Sequence, residues 1–120
     1  MADQIVWCDI PVLDLDRAVQ FYSAVLGQQV KKQNFSETTV GVLPHEDGEV
    51  GGCLFIGEQE KPSERGILIY LNVNGRLDDA LAAVTARGGK VLQPKHPIGP
   101  FGFRSVILDS EGNRVALHSD

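Results

Sequence analysis

Hydrophobic and polar positions alternate from Ile5 to Val12, and the spacing then changes to that of a helix. A run of apolar, mostly β-branched residues predicts a strand, whose side chains point to opposite faces in turn. Trp7 and Asp9 share one face of this strand, which is therefore mixed in character. The other face is predicted to lie in the core and comprises Val6, Cys8, Ile10 and Val12.

The predicted strand leads into an amphipathic helix of about a dozen residues. Asp14 is suited to cap its N-terminus, and Gly27 supplies the left-handed residue that ends many helices. Apolar residues recur at helical spacing between these two positions, at Leu15, Ala18, Val19, Tyr22 and Leu26. We therefore expect this helix to pack against the first strand.

The same strand and helix pattern returns half-way along the 120-residue chain, in the stretch ILIYLNVNGRLDDALAAVTARGG that begins at Ile67. Self-similarity at this distance indicates two copies of one unit, and each copy is predicted to be a β-α-β-β-β module. We therefore expect one α+β domain, with modules at about 1–57 and 67–120 and a short polar linker at 58–66.

Further strands complete the first module. Gly51 and Gly52 indicate a bulge or a close backbone approach in the last of them. The three predicted strands are Gln28–Phe35, Thr38–Leu43 and Val50–Gly57.

The second module is predicted to have the same order after its first strand, Ile67–Val73, and its helix, Leu77–Arg87. Lys90–Gln93 begins the next strand, and the prolines of the segment 94–102 are expected to end that strand in a loop that can close over a binding site. A hairpin of 103–108 and 114–118 then closes the module. Its turn, Asp109–Asn113, lacks the ligand pattern of a calcium loop and is explained as a hairpin turn.

Composition narrows the class of protein. The net charge is −5 and no stretch concentrates Lys or Arg, which argues against nucleic acid or an anionic membrane as a partner. No apolar run is long enough to span a bilayer, and the first residues, MADQ, lack the basic and apolar segments of an export signal. We therefore expect a cytoplasmic protein whose two cysteines, Cys8 and Cys53, remain thiols.

The two modules, the stretch PVLDLDRAVQFYSAVLG and the C-terminal DSEGNRVALHS together resemble the vicinal oxygen chelate superfamily. That superfamily includes glyoxalase I, bleomycin-resistance proteins, fosfomycin-resistance enzymes and extradiol dioxygenases. The resemblance covers essentially the whole chain and implies a curved mixed sheet that forms a cup, helices outside it, and a homodimer. In the metal enzymes of the superfamily, His, Gln or Glu side chains on the cup face hold a divalent ion.

The resemblance places these metal-ligand positions on unsuitable residues. They fall on Trp7, Leu68 and Ala116, and the remaining position lies within the range 53–55. Indole, isobutyl and methyl groups offer no lone pair to a metal cation. We therefore expect no metal and no other cofactor, which argues against metal-dependent glyoxalase or dioxygenase chemistry.

A metal-free cup can still bind a small organic molecule. Aromatic, amide and charged groups on the predicted cup faces favour this function, because polar groups would be wasteful on a dry core face. The predicted ligand-binding residues are Trp7, Asp9, Tyr70, Asn72, Arg114 and His118. The leading interpretation is therefore a protein that sequesters or senses an organic ligand.

Two other functions remain open. One is a glyoxalase-like lyase or isomerase in which Asp9 or His118 transfers a proton, with or without an unconventional metal site that also uses His96. The other is an interaction module whose cup is filled by Trp7 packed on a phenylalanine, Phe55 or Phe103.

Asp9 also has a purely structural interpretation. A salt bridge from this carboxylate to Arg104 or Arg114 would explain its position as well as a role in binding or proton transfer. The hydrogen-bond partners of Asp9 separate these interpretations.

Overall fold

A computed structural model describes residues 3–35 and 37–120, so Met1, Ala2 and Ser36 of the predicted first module lie outside it. Within the described residues the chain forms two helices, α1 (Leu15–Leu26) and α2 (Leu77–Ala86). Its strands are β1 (Trp7–Pro11), β2 (Lys31–Phe35), β3 (Thr38–Val42), β4 (Gly51–Phe55), β5 (Tyr70–Asn72), β6 (Lys90–Pro97), β7 (Phe103–Leu108) and β8 (Arg114–Ser119).

The strands form two mixed sheets of four strands with the same topology. The first sheet has the order β1-β4-β3-β2, and the second sheet has the order β5-β8-β7-β6. In each sheet the first strand pairs in parallel with the last strand of its module, and the other pairs are antiparallel. The predicted α+β fold of two β-α-β-β-β modules is therefore confirmed.

Local sequence signals set the limits of α1. The Asp14 carboxylate accepts a hydrogen bond from the Arg17 N–H at 3.0 Å, which satisfies one of the free amides of the first turn. Gly27 has a φ of 71°, and its N–H donates to the Ser23 carbonyl at 3.0 Å. The predicted cap and stop of this helix are both confirmed.

The core lies between the two helices and the inner faces of the two sheets. The helices contact each other, so one continuous core serves both modules. Its largest fully buried side chains include Phe21 and Tyr22 of α1, Leu54 of β4, Ile107 of β7 and Leu117 of β8. Burial of each such side chain contributes about 1.5–3 kcal/mol. The opposite faces of the sheets, called the open faces below, are left to carry the candidate site.

Two residues predicted in the core are exposed instead. Val6 is 72% exposed and Ile67 is 91% exposed, because each precedes the point where its strand begins to pair. The alternation therefore predicted the correct face for Ile10 and Val73, but overestimated the length of β1 and β5.

The proline-rich segment is also ordered differently from the prediction. Strand β6 continues through Pro94 to Pro97 instead of ending in a loop at Gln93. It is an edge strand with register shifts before and after Gln93, so the missing proline N–H groups interrupt no interior ladder. A short 3-10 turn, Gly99–Phe101, then leads into β7.

The β7–β8 turn joins the two modules in addition to closing a hairpin. Gly112 has the predicted positive φ, at 99°. Asp109, Glu111 and Asn113 are buried, with 3%, 6% and 7% of their surface exposed. Their side chains bond to groups of the first module, among them the Leu13 N–H and the Pro11 carbonyl. The sequence prediction of a simple hairpin turn was therefore incomplete.

Candidate functional site

Trp7 lies half-exposed on the open face of the first sheet, in a fixed orientation. Its indole N–H donates to Asp9 Oδ1 at 2.9 Å, and its ring meets the His45 ring edge-on at a centroid distance of 5.7 Å. Gly51 lies beneath both rings, where a Cβ would come within 2.8 Å of Trp7 and 2.9 Å of His45. The predicted close approach at this glycine is therefore confirmed, and its cause is the packing of two rings.

Cys53 completes the polar group around Asp9. Asp9 and Cys53 are register partners of β1 and β4, and the thiol donates to Asp9 Oδ1 at 3.3 Å. Burial, followed by the hydrogen bond and charge of Asp9, raises the pKa of Cys53 to about 11. Burial and the same carboxylate also raise the pKa of Cys8. Both cysteines are free, and at neutral pH they are protonated and poor nucleophiles.

A second polar cluster occupies the open face of the second sheet. The register aligns Asn72 with His118 and His118 with Arg104, on three adjacent strands. Arg104 Nε–H donates to His96 Nε2 at 3.0 Å, and its Nη1 donates to the Tyr70 hydroxyl. We call these five residues the second-sheet cluster.

The histidines of the second-sheet cluster are held by backbone carbonyls. His118 Nε2 donates to the Phe101 carbonyl at 2.6 Å, which ties the 3-10 turn to β8. His96 Nδ1 donates to the Pro94 carbonyl at 2.9 Å, so its Nε2 is the lone-pair nitrogen that accepts from Arg104. This pairing assigns a neutral imidazole to His96.

The structure separates the predicted ligand-binding residues into three places. Trp7 and Asp9 are bonded to each other on the first sheet, while Tyr70, Asn72 and His118 belong to the second-sheet cluster. The Tyr70 and His118 rings have a centroid distance of 6.5 Å. The sixth residue, Arg114, lies apart from both groups: its guanidinium donates to the linker carbonyls of Glu64 and Gly66, at 2.9 and 3.1 Å.

Asp9 forms no salt bridge with either arginine among the described residues. The partners of its carboxylate are Trp7 and Cys53, and the arginines bond elsewhere. The alternative of a structural ion pair is therefore wrong for these residues. The aromatic ring found against Trp7 is that of His45 rather than a phenylalanine.

Arg104 and His96 were not predicted from the sequence as members of a cluster. His96 was assigned to a loop, whereas it lies on β6 opposite Arg104. A usable signal existed for Arg104, because counting outward along the hairpin from its turn pairs Arg104 with His118. Only the closing of β5 onto β8 could place Tyr70 beside them.

An open cleft of about 1020 Å³ runs between the free edges of β1 and β5. Its lining includes Cys8 and Ile10 from β1 and Tyr70 and Asn72 from β5. The cleft therefore adjoins the second-sheet cluster at the point where each sheet lacks a neighbouring strand.

The donor set does not fit the metal of the chelate enzymes. The side chain of Trp7 is bonded to Asp9, Ala116 is a fully buried methyl group, and Cys53 is a protonated thiol on the open face. Across residues 3–35 and 37–120, no three His, Cys, Asp or Glu side chains are grouped so that they could hold a metal ion. In the same residues, neither helix has the length and apolar character needed to cross a membrane.

The match to a known family covers both modules. The family model of the Glyoxalase/Bleomycin resistance protein/Dioxygenase superfamily matches residues 4–117. The chain belongs to this superfamily. A glyoxylase-like domain-containing protein from Didymella fabae is 31% identical over 123 residues, which cover 95% of this chain and 91% of that protein.

Solved structures of superfamily members have the same fold. A glyoxalase/bleomycin resistance protein from Albidiferax ferrireducens T118 superposes with a TM-score of 0.77 and 16% identity, covering 98% of this chain and 99% of that one. The fosfomycin resistance protein FosX from Listeria monocytogenes gives a TM-score of 0.68 with 15% identity, covering 100% and 95%. The predicted membership of the vicinal oxygen chelate superfamily is confirmed, and these similarities concern the fold alone.

Proposed function

We propose that this superfamily member binds a small organic molecule between open sheet faces, without a divalent metal, and sequesters or senses it. The orientation of Trp7 carries the proposal: this side chain is 41% exposed, yet its position is fixed by Asp9 and His45. Exposed indole surface is unfavourable in water, whereas a rigid aromatic face binds a planar ligand at little cost in conformational entropy.

Residues of the second sheet supply the polar part of the proposed site. Tyr70 is 46% exposed, and its hydroxyl and the Asn72 amide lie on the open face. His118 lies beside them and is held by the Phe101 carbonyl. Few, fixed polar groups beside an aromatic surface are typical of small-molecule sites.

Each sheet is open at one edge, and we propose that a second copy of the chain closes it. β1 pairs only with β4, and β5 only with β8, among the described residues. Unpaired edge strands flanked by apolar side chains favour pairing with another chain, and Ile5, Val6 and Ile67 are exposed at these edges. A homodimer with β1 of one protomer beside β5 of its partner would join a first sheet to a second sheet in one cup.

The homodimer predicts a mass of twice 13.0 kDa by light scattering. Ile67→Lys should weaken the dimer at least about tenfold, because a charge would be buried at the proposed contact. Leu92→Lys is the matched control, since Leu92 is exposed on β6 at the far edge of the second sheet. A monomeric mass at all concentrations, or equal effects of the two variants, would contradict the proposed arrangement.

Ligand binding can be measured directly because Trp7 is the single tryptophan of the chain. We expect saturable quenching of its fluorescence by members of a panel of planar aromatic compounds. Tyr70→Ala should weaken that binding about three- to tenfold through loss of an aromatic contact, while preserving the reporter. Leu13→Ala, which shortens an exposed apolar side chain outside the site, should have no effect. Quenching that never saturates with any compound would refute the proposal.

A glyoxalase-like lyase or isomerase is the second candidate. Asp9 Oδ1 accepts both hydrogen bonds, from Trp7 and Cys53, which leaves Oδ2 without a partner among the described residues and free to accept a proton. Turnover of a bound compound that Asp9→Asn abolishes, with binding retained, would favour this enzyme over a binding protein.

A further inference from the structure

The strands of the second sheet contain no carboxylate side chain. They carry four cationic side chains, Lys90, Lys95, Arg104 and Arg114, in a chain whose net charge is −5. Lys95 is paired with Asp78 of α2 at 3.0 Å, and Arg114 is occupied by linker carbonyls. Arg104 differs from these two, because it points along the open face and has no carboxylate within ion-pair distance among the described residues.

The contacts of Arg104 leave its charge uncompensated. Its partners are the neutral imidazole of His96 and the hydroxyl of Tyr70, and its guanidinium carbon lies 5.9 Å from the Tyr70 ring centroid. These contacts orient the guanidinium, but neither supplies a negative charge. Its Nη2 group has no partner among the described residues.

The neighbouring polar groups present donors rather than acceptors. The Tyr70 oxygen accepts from Arg104, so its own O–H is available to donate. Asn72 Oδ1 accepts from the Asn74 N–H at 2.8 Å, which leaves the amide N–H groups as its free polar atoms. Cation and donors therefore lie together on one open face, an arrangement that matches an oxyanion.

We infer that the second-sheet cluster binds the carboxylate of a small organic acid, with Arg104 as the principal contact. This inference rests on the proposed binding function and names the ligand class of the same site. A planar guanidinium suits a planar carboxylate, and hydrogen bonds between charged groups are stronger than neutral ones. Tyr70 and Asn72 supply further donors, and His96 acts as a positioning residue that orients Arg104.

Nuclear magnetic resonance can test the carboxylate and the aromatic contact separately. In ¹H–¹⁵N spectra of the full chain, benzoate should shift the Arg104 Nε–H signal saturably, whereas its neutral isostere benzamide should not. The Trp7 indole N–H signal reports binding of either aromatic compound in the same titration. Loss of the signal in Arg104→Gln assigns it to Arg104.

The variants set the size of the expected effect. Arg104→Gln should weaken benzoate binding about tenfold or more and leave benzamide binding unchanged. Arg104→Lys, which retains the charge, should recover part of the affinity. Arg87→Gln removes an exposed arginine at the end of α2 and controls for net charge.

Each outcome decides between the inferences. Trp7 shifts of equal size with benzoate and benzamide, without an Arg104 response, would overturn the carboxylate site and leave the proposed binding function standing. Benzoate titration that moves neither signal saturably would overturn both. A selective Arg104 response to benzoate that Arg104→Gln removes supports both.

Discussion

Replacing Glu111 with alanine is expected to lower the free energy of unfolding by about 3 kcal/mol. The buried Glu111 carboxylate accepts from the backbone N–H groups of Leu13 and Asp14, both at 2.9 Å, and from the Arg17 guanidinium at 2.7 and 2.9 Å. Arg17 is half-exposed and can be solvated by water, so most of the loss comes from the two backbone donors. Urea unfolding, monitored by circular dichroism, measures this difference.

Glu58→Ala is the matched control, because it removes an exposed linker glutamate without a side-chain hydrogen bond to the described residues. It should change the free energy of unfolding by less than about 0.5 kcal/mol. Equal effects of the two variants would show that the contact between Glu111 and the first module contributes little to stability.

The Glu111 contribution should disappear in acid. Burial alone would raise the pKa of Glu111, but hydrogen bonds from Arg17, Asp14, Ser110 and Leu13 lower it from 4.5 to about 2. Since the folded-state pKa is depressed, this stabilisation is complete above pH 4.5 and is lost as the pH falls toward 2. The difference in stability between wild type and Glu111→Ala should shrink across that interval, and a constant difference would contradict the assignment.

Asp109→Ala is expected to destabilise the protein by about 3 to 4 kcal/mol, because it leaves several buried donors without an acceptor. The Asp109 carboxylate accepts from the Tyr22 hydroxyl and from the Glu111 N–H at 2.8 Å. It also accepts from the backbone and side-chain N–H groups of Asn113, at 2.9 and 3.0 Å. Burial and the Asp109 charge raise the pKa of Tyr22 well above its usual range, so Tyr22 remains the donor.

A double-mutant cycle with Tyr22→Phe isolates the hydrogen bond between the modules. Tyr22→Phe alone should cost about 1 kcal/mol, and Asp109→Ala should cost less in that background, because the buried hydroxyl is already gone. Asp47→Ala, in an exposed turn, controls for loss of a carboxylate. Strictly additive effects of the two substitutions would argue against the Tyr22–Asp109 contact.

Both substitutions test a connection that matters for the proposed site. The turn residues contact α1 and the segment before it, so they hold the second module against the first. Loss of this connection should loosen the relative position of Trp7 and the second-sheet cluster, whose contacts lie on separate sheets.

Local residue chemistry determined the elements of the fold. The carboxylate of Asp14 and the conformational freedom of Gly27 set the ends of α1, and Gly112 allowed the hairpin turn. These features were predictable because they depend on residues a few positions apart. The module order was predictable too, since the repeat is visible in the sequence itself.

Tertiary structure alone decided how the elements meet. Strand β6 runs through Pro94 because it lies at a sheet edge, and Glu111 is buried because its partner Leu13 is 98 positions away in the chain. Arg104 meets Tyr70 across 34 positions, through the pairing of β5 with β8 and of β8 with β7. Periodicity reports which face a side chain occupies, whereas the partner on that face depends on long-range packing and register.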